Sequence, residues 1–291
     1  MKVAVIAHAG KTFGGGLPEL RRVLDAEGIK DPIWHEVPKS KKAPREVQRA
    51  LKEGADLLLV WGGDGMVRRC IDAVGDAKVA VGILPAGTSN LFATNLKIKQ
   101  DVEEAVRIAL RGERRKVDVG LFNGERFATM AGAGFDAAMI RDADSLKDRL
   151  GRAAYVLSGA RNLNAEAFGA KIRVDGTPWY DGPASCILFG NVGNLFGGIE
   201  VFADASLDDG MLDLGVVTAD GPVKLGRTVA RTAVGDPQKS PFVRVTKARK
   251  VKVQLDRKVR YELDGGDRSS VTNFKVRVEP SAVTVCVPRA D

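Results

Sequence analysis

At 291 residues, with 44% hydrophobic and 28% charged positions, the chain is long enough for two globular domains with a core each. Its cysteines, Cys70, Cys186 and Cys286, form no CxxC pair and no Cys/His cluster; this excludes a zinc site and a disulfide framework and reads as apolar filling in a reducing compartment. A net charge of +8 suits nucleotide phosphates or an anionic membrane surface, while 6% aromatics and the lack of an RNA-binding signature argue against nucleic acid.

Val3 to Ala7 is too short for the apolar core of a signal peptide, Lys11 interrupts it, and it reads as a first strand. No run approaches the roughly 18 apolar residues of a membrane span. The expectation is a cytoplasmic protein whose membrane contact is peripheral, at the inner face. Two basic clusters suit such contact: Lys39, Lys41, Lys42 and Arg45, then Arg244, Lys247, Arg249, Lys250 and Lys252. After a Gly-rich turn and a helix over 17–26, Ala55 to Trp61 reads as a buried strand. The next helix puts Val67, Cys70, Ile71 and Val74 on one face. Val79 to Leu84 repeats the strand, and Val102, Ala105, Val106 and Ala109 mark a further helix. Alternating strands and helices predict an α/β domain with a parallel sheet over residues 1–117.

From residue 118 to 291 the texture changes to hairpins. Asn123-Gly124 and Asp175-Gly176 are turn signals. Residues 251–255, 259–263, 274–278 and 283–287 alternate with period two, which predicts a β-rich, antiparallel domain. Its one clear helix is an amphipathic stretch over 144–163, with Leu146, Leu150, Ala154, Leu157 and Ala160 on a stripe.

Two glycine turns carry the chemistry. Trp61-Gly62-Gly63-Asp64-Gly65-Met66 ends one strand and opens a helix, so backbone approaches a ligand closely and helix amides face an anion. Asp64 stands where a carboxylate takes a hydroxyl proton or orients a metal. Leu84-Pro85-Ala86-Gly87-Thr88-Ser89-Asn90 repeats the arrangement after the neighbouring strand, where open α/β sheets place their ligands. Gly10-Lys11-Thr12 imitates the end of a P-loop, but Val5 stands where that motif needs glycine. Gly132-Ala-Gly134-Phe-Asp-Ala137 mimics a dinucleotide fingerprint, yet it lies in the hairpin half with no acidic ribose partner. His8 ends the first strand and reads as structural.

GGDG and LPAGTSN together resemble the catalytic domain of the diacylglycerol kinase/sphingosine kinase superfamily. The resemblance continues through Ala131–Asp136, Asn191–Gly198, Ala203–Asp213, Leu263-Asp264-Gly265 and Glu279-Pro280-Ser-Ala-Val-Thr-Val. It implies an ATP-dependent lipid kinase with an NAD-kinase-like α/β domain, a β-sandwich-like second domain, and ATP with Mg²⁺ in the cleft between them. Carried over, Gly62, Gly63, Asp64, Gly65 and Met66 cover the nucleotide phosphates, with Gly87, Thr88 and Asn90 closing the site. Asp64 and Asp264 are the implied catalytic carboxylates. Ser206, Asp209 and Met211 resemble a structural magnesium loop, two of them through backbone carbonyls, and oxygen ligands suit a hard cation. The implied acceptor is diacylglycerol or a related lipid alcohol at a membrane surface.

The chain departs from the pattern at three places. His8-Ala9-Gly10-Lys11-Thr12 replaces an Asn-Pro-x-Ser-Gly opening, Leu91 replaces an aspartate, and Gly266 replaces the glutamate of Asp-Gly-Glu, often assigned as general base. Gly266 motivates one alternative, a non-catalytic or weakly active lipid or nucleotide binder. NAD kinase and a phosphofructokinase-like sugar kinase share the first turn, but the Asn-Glu and Thr-Gly-Ser-Thr signatures of the former and the downstream motifs of the latter are missing.

Overall fold

The computed structural model describes residues 1–134, 167–195, 199–218 and 243–289. The expected helix over 144–163 and residues 135–137 of the fingerprint fall outside them. The chain divides into two units, Met1–Val117 together with Ser281–Asp291, and Asp118–Pro280.

The first unit runs β1 (Val3–His8), α1 (Gly16–Ala26), β2 (Ile33–Val37), α2 (Ala43–Lys52), β3 (Leu57–Gly62), α3 (Asp64–Val74), β4 (Ala80–Pro85), α4 (Leu91–Asn95) and α5 (Val102–Arg111). Its strands are parallel in the order β2-β1-β3-β4. Leu57 to Trp61 are all 1% exposed or less, the continuous apolar run of a strand covered on both faces. Helix α3 buries Met66, Val67, Cys70, Ile71 and Val74, and α5 buries Val102, Ala105, Val106 and Ala109, the faces read from periodicity. Asp101 caps α5 by accepting the Glu104 N–H at 2.7 Å. β2 and α2 were not foreseen, because the basic run at 39–45 interrupts the apolar pattern on which periodicity depends.

The second unit begins within β5 (Glu113–Phe122) and continues through β6 (Glu125–Phe127), β7 (Met130–Ala133), β8 (Phe168–Val174), β9 (Thr177–Ala184), β10 (Cys186–Gly190), the short pair β11 (Asn194–Leu195) and β12 (Ile199–Glu200), β13 (Leu212–Val217), β14 (Val243–Ala248), β15 (Lys250–Leu263) and β16 (Gly266–Val287). Its ladders are antiparallel, in the order β14-β13-β10-β7-β15, and β15 also pairs with β8 and β16. Asn123-Gly124 and Asp175-Gly176 close two-residue hairpins with φ of +48° and +94°, and +49° and +92°. Both positions need the left-handed region, which Asn, Asp and Gly tolerate best. Asp264-Gly265 closes a third hairpin in the same way. In the core, the Phe122 ring stacks on Tyr261 at 4.4 Å and on Phe274 at 4.5 Å.

One boundary needs correction. The second domain was expected over 118–291, but Ser281–Asp291 belongs to the first unit, where Thr284 and Val285 pair in parallel with Ala80 and Val81. The three cysteines are buried, and burial pushes the Cys70 thiol up to about 12 and Cys286 to about 11, so neither of these two is a nucleophile at neutral pH. Among the described residues no helix is long and apolar enough to cross a membrane.

Candidate active site

Parallel pairing sets Gly62 opposite Pro85, so the turns after β3 and β4 leave the sheet at one level. The Ala86 N–H donates to the Gly62 carbonyl at 3.0 Å. Beyond it the two turns touch backbone to backbone. A Cβ on Gly87 would lie 2.5 Å from the Gly63 Cα, and one on Gly63 would lie 3.1 Å from the Gly87 Cα. This contact requires glycine at position 87 and leaves little room for a side chain at position 63. The convergence of GGDG and LPAGTSN, an expectation from chain order, is therefore a feature of the first unit.

Asn90 shapes the second turn. It adopts φ +48°, its Oδ1 accepts the Gly87 N–H at 2.9 Å, and its Nδ2 donates to the Gly87 carbonyl at 2.8 Å. Gln100 Nε2 donates to the same carbonyl at 3.1 Å. Asp64, the first residue of α3, accepts the Phe92 N–H on Oδ1 at 3.0 Å and so ties the first turn to the start of α4. The Met66 and Val67 N–H groups close the α3 N-terminus onto the Gly63 carbonyl. Gly65 and Thr88 are exposed, and a Cβ on Gly65 would meet nothing within 4 Å. This side of the paired turns is open.

The loop after β1 lies at the same sheet edge. His8 Nδ1 accepts the Gly10 N–H at 3.1 Å, and Trp61 Nε1 donates to the Lys11 carbonyl at 3.0 Å. Residues 8–12, which replace the expected opening motif, are thus anchored to the strand that carries Gly62. The sequence offered no means of foreseeing the tryptophan contact.

In the second unit Asp264, at φ +47°, accepts four hydrogen bonds. Three come from the Ala128, Thr129 and Met130 N–H groups at 2.8 to 3.0 Å, and one from the Thr129 hydroxyl at 2.5 Å. The carboxylate fixes the β6–β7 connection. Beside it, the buried Glu262 accepts the Gly265 N–H on Oε2 at 2.7 Å. Burial pushes its pKa up to about 8, against the lowering effect of that hydrogen bond and with a further rise from the Asp264 charge. Glu262 was missed, although a glutamate between Tyr261 and Leu263 in an apolar strand is a legible signal. A Cβ on Gly266 would lie 3.0 Å from Arg268 Nη1, so a guanidinium flanks the place of the expected glutamate.

The one carboxylate among the expected magnesium ligands is engaged by protein groups. Asp209 accepts the Met211 N–H on Oδ1 at 3.0 Å and the Lys247 ammonium on Oδ2 at 2.6 Å, while the Ser206 hydroxyl donates to Asp208 at 2.7 Å. Among the described residues no cluster of three or more His, Cys, Asp or Glu is placed to hold a metal. The donor set Ser206, Asp209 and Met211 does not fit a divalent ion, because a cation already occupies its one carboxylate.

Residues 2–122 match the family described as Diacylglycerol kinase catalytic domain, and 129–287 match the YegS C-terminal NAD kinase beta sandwich-like domain. A diacylglycerol kinase of Bacillus subtilis is 32% identical over 230 residues, covering 76% of this chain and 75% of its own. A probable lipid kinase YegS-like of Cronobacter sakazakii is 28% identical over 253 residues, covering 84% and 83%. The crystal structure of a diacylglycerol kinase from Bacillus anthracis superposes with a TM-score of 0.75 at 22% identity, covering 98% of this chain and 96% of the other.

Proposed function

The chain belongs to the diacylglycerol kinase catalytic-domain family of lipid kinases, and from that premise we propose that it transfers the γ-phosphoryl group of ATP to the hydroxyl of diacylglycerol or a related lipid alcohol. The observation that carries this reading is the backbone contact between Gly63 and Gly87, which joins two amide-bearing turns on one open edge. Amides at the start of α3 and the exposed Thr88 hydroxyl suit phosphate oxygens. Magnesium arriving with the nucleotide would supply neutralising charge to its phosphates. In the transfer, the lipid oxygen bonds to the γ-phosphorus as the bond to the ADP oxygen breaks, and the hydroxyl proton leaves for a carboxylate. Asp64 is assigned that proton, because the Phe92 N–H holds its carboxylate in one orientation beside the turn. Asp264 is assigned a positioning part, since its oxygens are spread over four donors.

The test is transfer of labelled phosphate from ATP to a lipid extract in mixed micelles, with the product identified by mass spectrometry. Asp64→Asn keeps an oxygen for the Phe92 N–H but cannot take a proton. It is expected to lower turnover about 10²–10⁴-fold with the fold intact by circular dichroism; retained lipid phosphorylation rejects the assignment. Gly266 favours a second reading, a nucleotide or lipid binder without turnover. Tight ATP binding with no product on any lipid selects that reading instead.

For contact with an anionic bilayer, the reading is supported by the exposed face of β8, β15 and β16. Lys252 lies opposite both Arg173 and Lys275, and Lys250 lies opposite Arg277. Like charges directly across a ladder are unfavourable by themselves, by roughly 0.2–1 kcal/mol. An anionic partner would offset that cost. Lys247, expected in this basic group, is instead tied to Asp209.

A further inference from the structure

The loop over 204–213 holds an arrangement that its resemblance to a magnesium loop does not explain. Antiparallel register between β13 and β14 sets Lys247 opposite Asp213. From there the ammonium donates to Asp209 Oδ2 at 2.6 Å and to the Asp204 carbonyl at 2.7 Å, and it lies 3.6 Å from Asp213 Oδ2. The other Asp209 oxygen receives the Met211 N–H, and the preceding amide, that of Gly210, donates to Asp118 Oδ2 at 2.7 Å. Asp118 in turn donates its own N–H to the Leu207 carbonyl at 2.6 Å. The loop is thus closed by one ammonium and by amides, each matched to an oxygen.

A divalent ion and this ammonium make the same demand: carboxylate and carbonyl oxygens converging on a point. They cannot both have it. A magnesium ion at Asp209 would sit close to a positive charge already held against the same carboxylate oxygen. The charges agree with the geometry: the one ammonium lies within ion-pair distance of both Asp209 and Asp213.

We propose that Lys247 is the resident cation of the 204–213 loop, standing in for the divalent metal, so that the loop is closed without metal. The inference rests on these contacts alone and is independent of the phosphoryl-transfer reading. A lysine fixed by sheet register makes loop closure insensitive to metal supply, whereas a bound ion makes it conditional.

Mn²⁺ binding followed by electron paramagnetic resonance without nucleotide, on the full chain and on Asp209→Asn, tests the first half. No Asp209-dependent Mn²⁺ is expected; one ion per chain that disappears in Asp209→Asn overturns the proposal. Thermal unfolding in EDTA tests the second half. Lys247→Met is expected to unfold about 2–4 °C below the unaltered chain, and an unchanged midpoint overturns the proposal. If Lys247→Met does not fold, Lys247→Arg, which keeps the charge, is expected to fold and to unfold near the unaltered chain in EDTA; failure of both variants would show that side-chain shape rather than charge holds the loop.

Discussion

Three acidic side chains show how environment divides labour among identical groups. Asp64 bridges two helix starts with one oxygen, Asp264 gathers three amides and a hydroxyl, and Glu262 is enclosed beside it with a single amide on its Oε2. Asp64 and Asp264 were legible because they sit in motifs; what they bond was not, since the Phe92, Ala128 and Thr129 amides are distant in sequence. Glu262 has a consequence for pH. The folded chain keeps its proton up to about 8, whereas the unfolded chain releases it near the ordinary glutamate value. Between those values the native state binds more protons than the unfolded one, so this residue makes stability fall as pH rises, with the loss complete above about 8. Glu262→Gln removes the titration while keeping an acceptor for the Gly265 N–H. Urea unfolding of this variant is expected to lose less stability than the unaltered chain between pH 5 and 8; parallel pH profiles would refute the shift.

At the level of elements, the helix faces of α3 and α5 and the hairpins at Asn123-Gly124 and Asp175-Gly176 followed from local chemistry, because each is decided by neighbours in the chain. Long strands were less legible. β15 and β16 were read as four short pieces, since alternation fails at Asp256–Lys258 and around Pro280; the structure carries each strand through, with register shifts between Gln254 and Tyr261. The paired glycine turns are the element on which the proposed chemistry turns. In Gly87→Ala the new methyl would meet the Gly63 Cα at 2.5 Å, backbone that cannot rotate aside. The variant is expected to lose about 1–3 kcal/mol of stability and to bind ATP at least tenfold more weakly by calorimetry. Gly65→Ala, with open space at its Cβ, is the control for the stability loss alone, a methyl added without a clash against the protein.

Over the whole molecule, charge and connectivity matter more than single contacts. The excess of eight positive charges read from composition is partly concentrated on one exposed sheet face, where Lys250, Lys252 and Lys275 stand in register with Arg173 and Arg277. Replacing the three lysines by glutamine is expected to weaken binding to phosphatidylglycerol vesicles, each lysine contributing about 1 kcal/mol near such a surface. The difference from the unaltered chain should shrink as salt is raised. Equal sedimentation with vesicles at low salt would remove this face from the reading. Connectivity was the least legible property. Nothing in residues 281–287 announces that they pair with β4 rather than with the hairpins before them, because a parallel partner is named only by tertiary packing.

That pairing has a bearing on biosynthesis. Ala80 and Val81 leave the ribosome roughly two hundred positions before Thr284 and Val285, their partners in the sheet. At ordinary rates of translation the β4 rim stays bare for about 10–40 s, with its backbone groups open to any other strand. The amino-terminal unit, although made first, is therefore completed last, and the nascent chain is most exposed to mispairing while its second unit is still being synthesised.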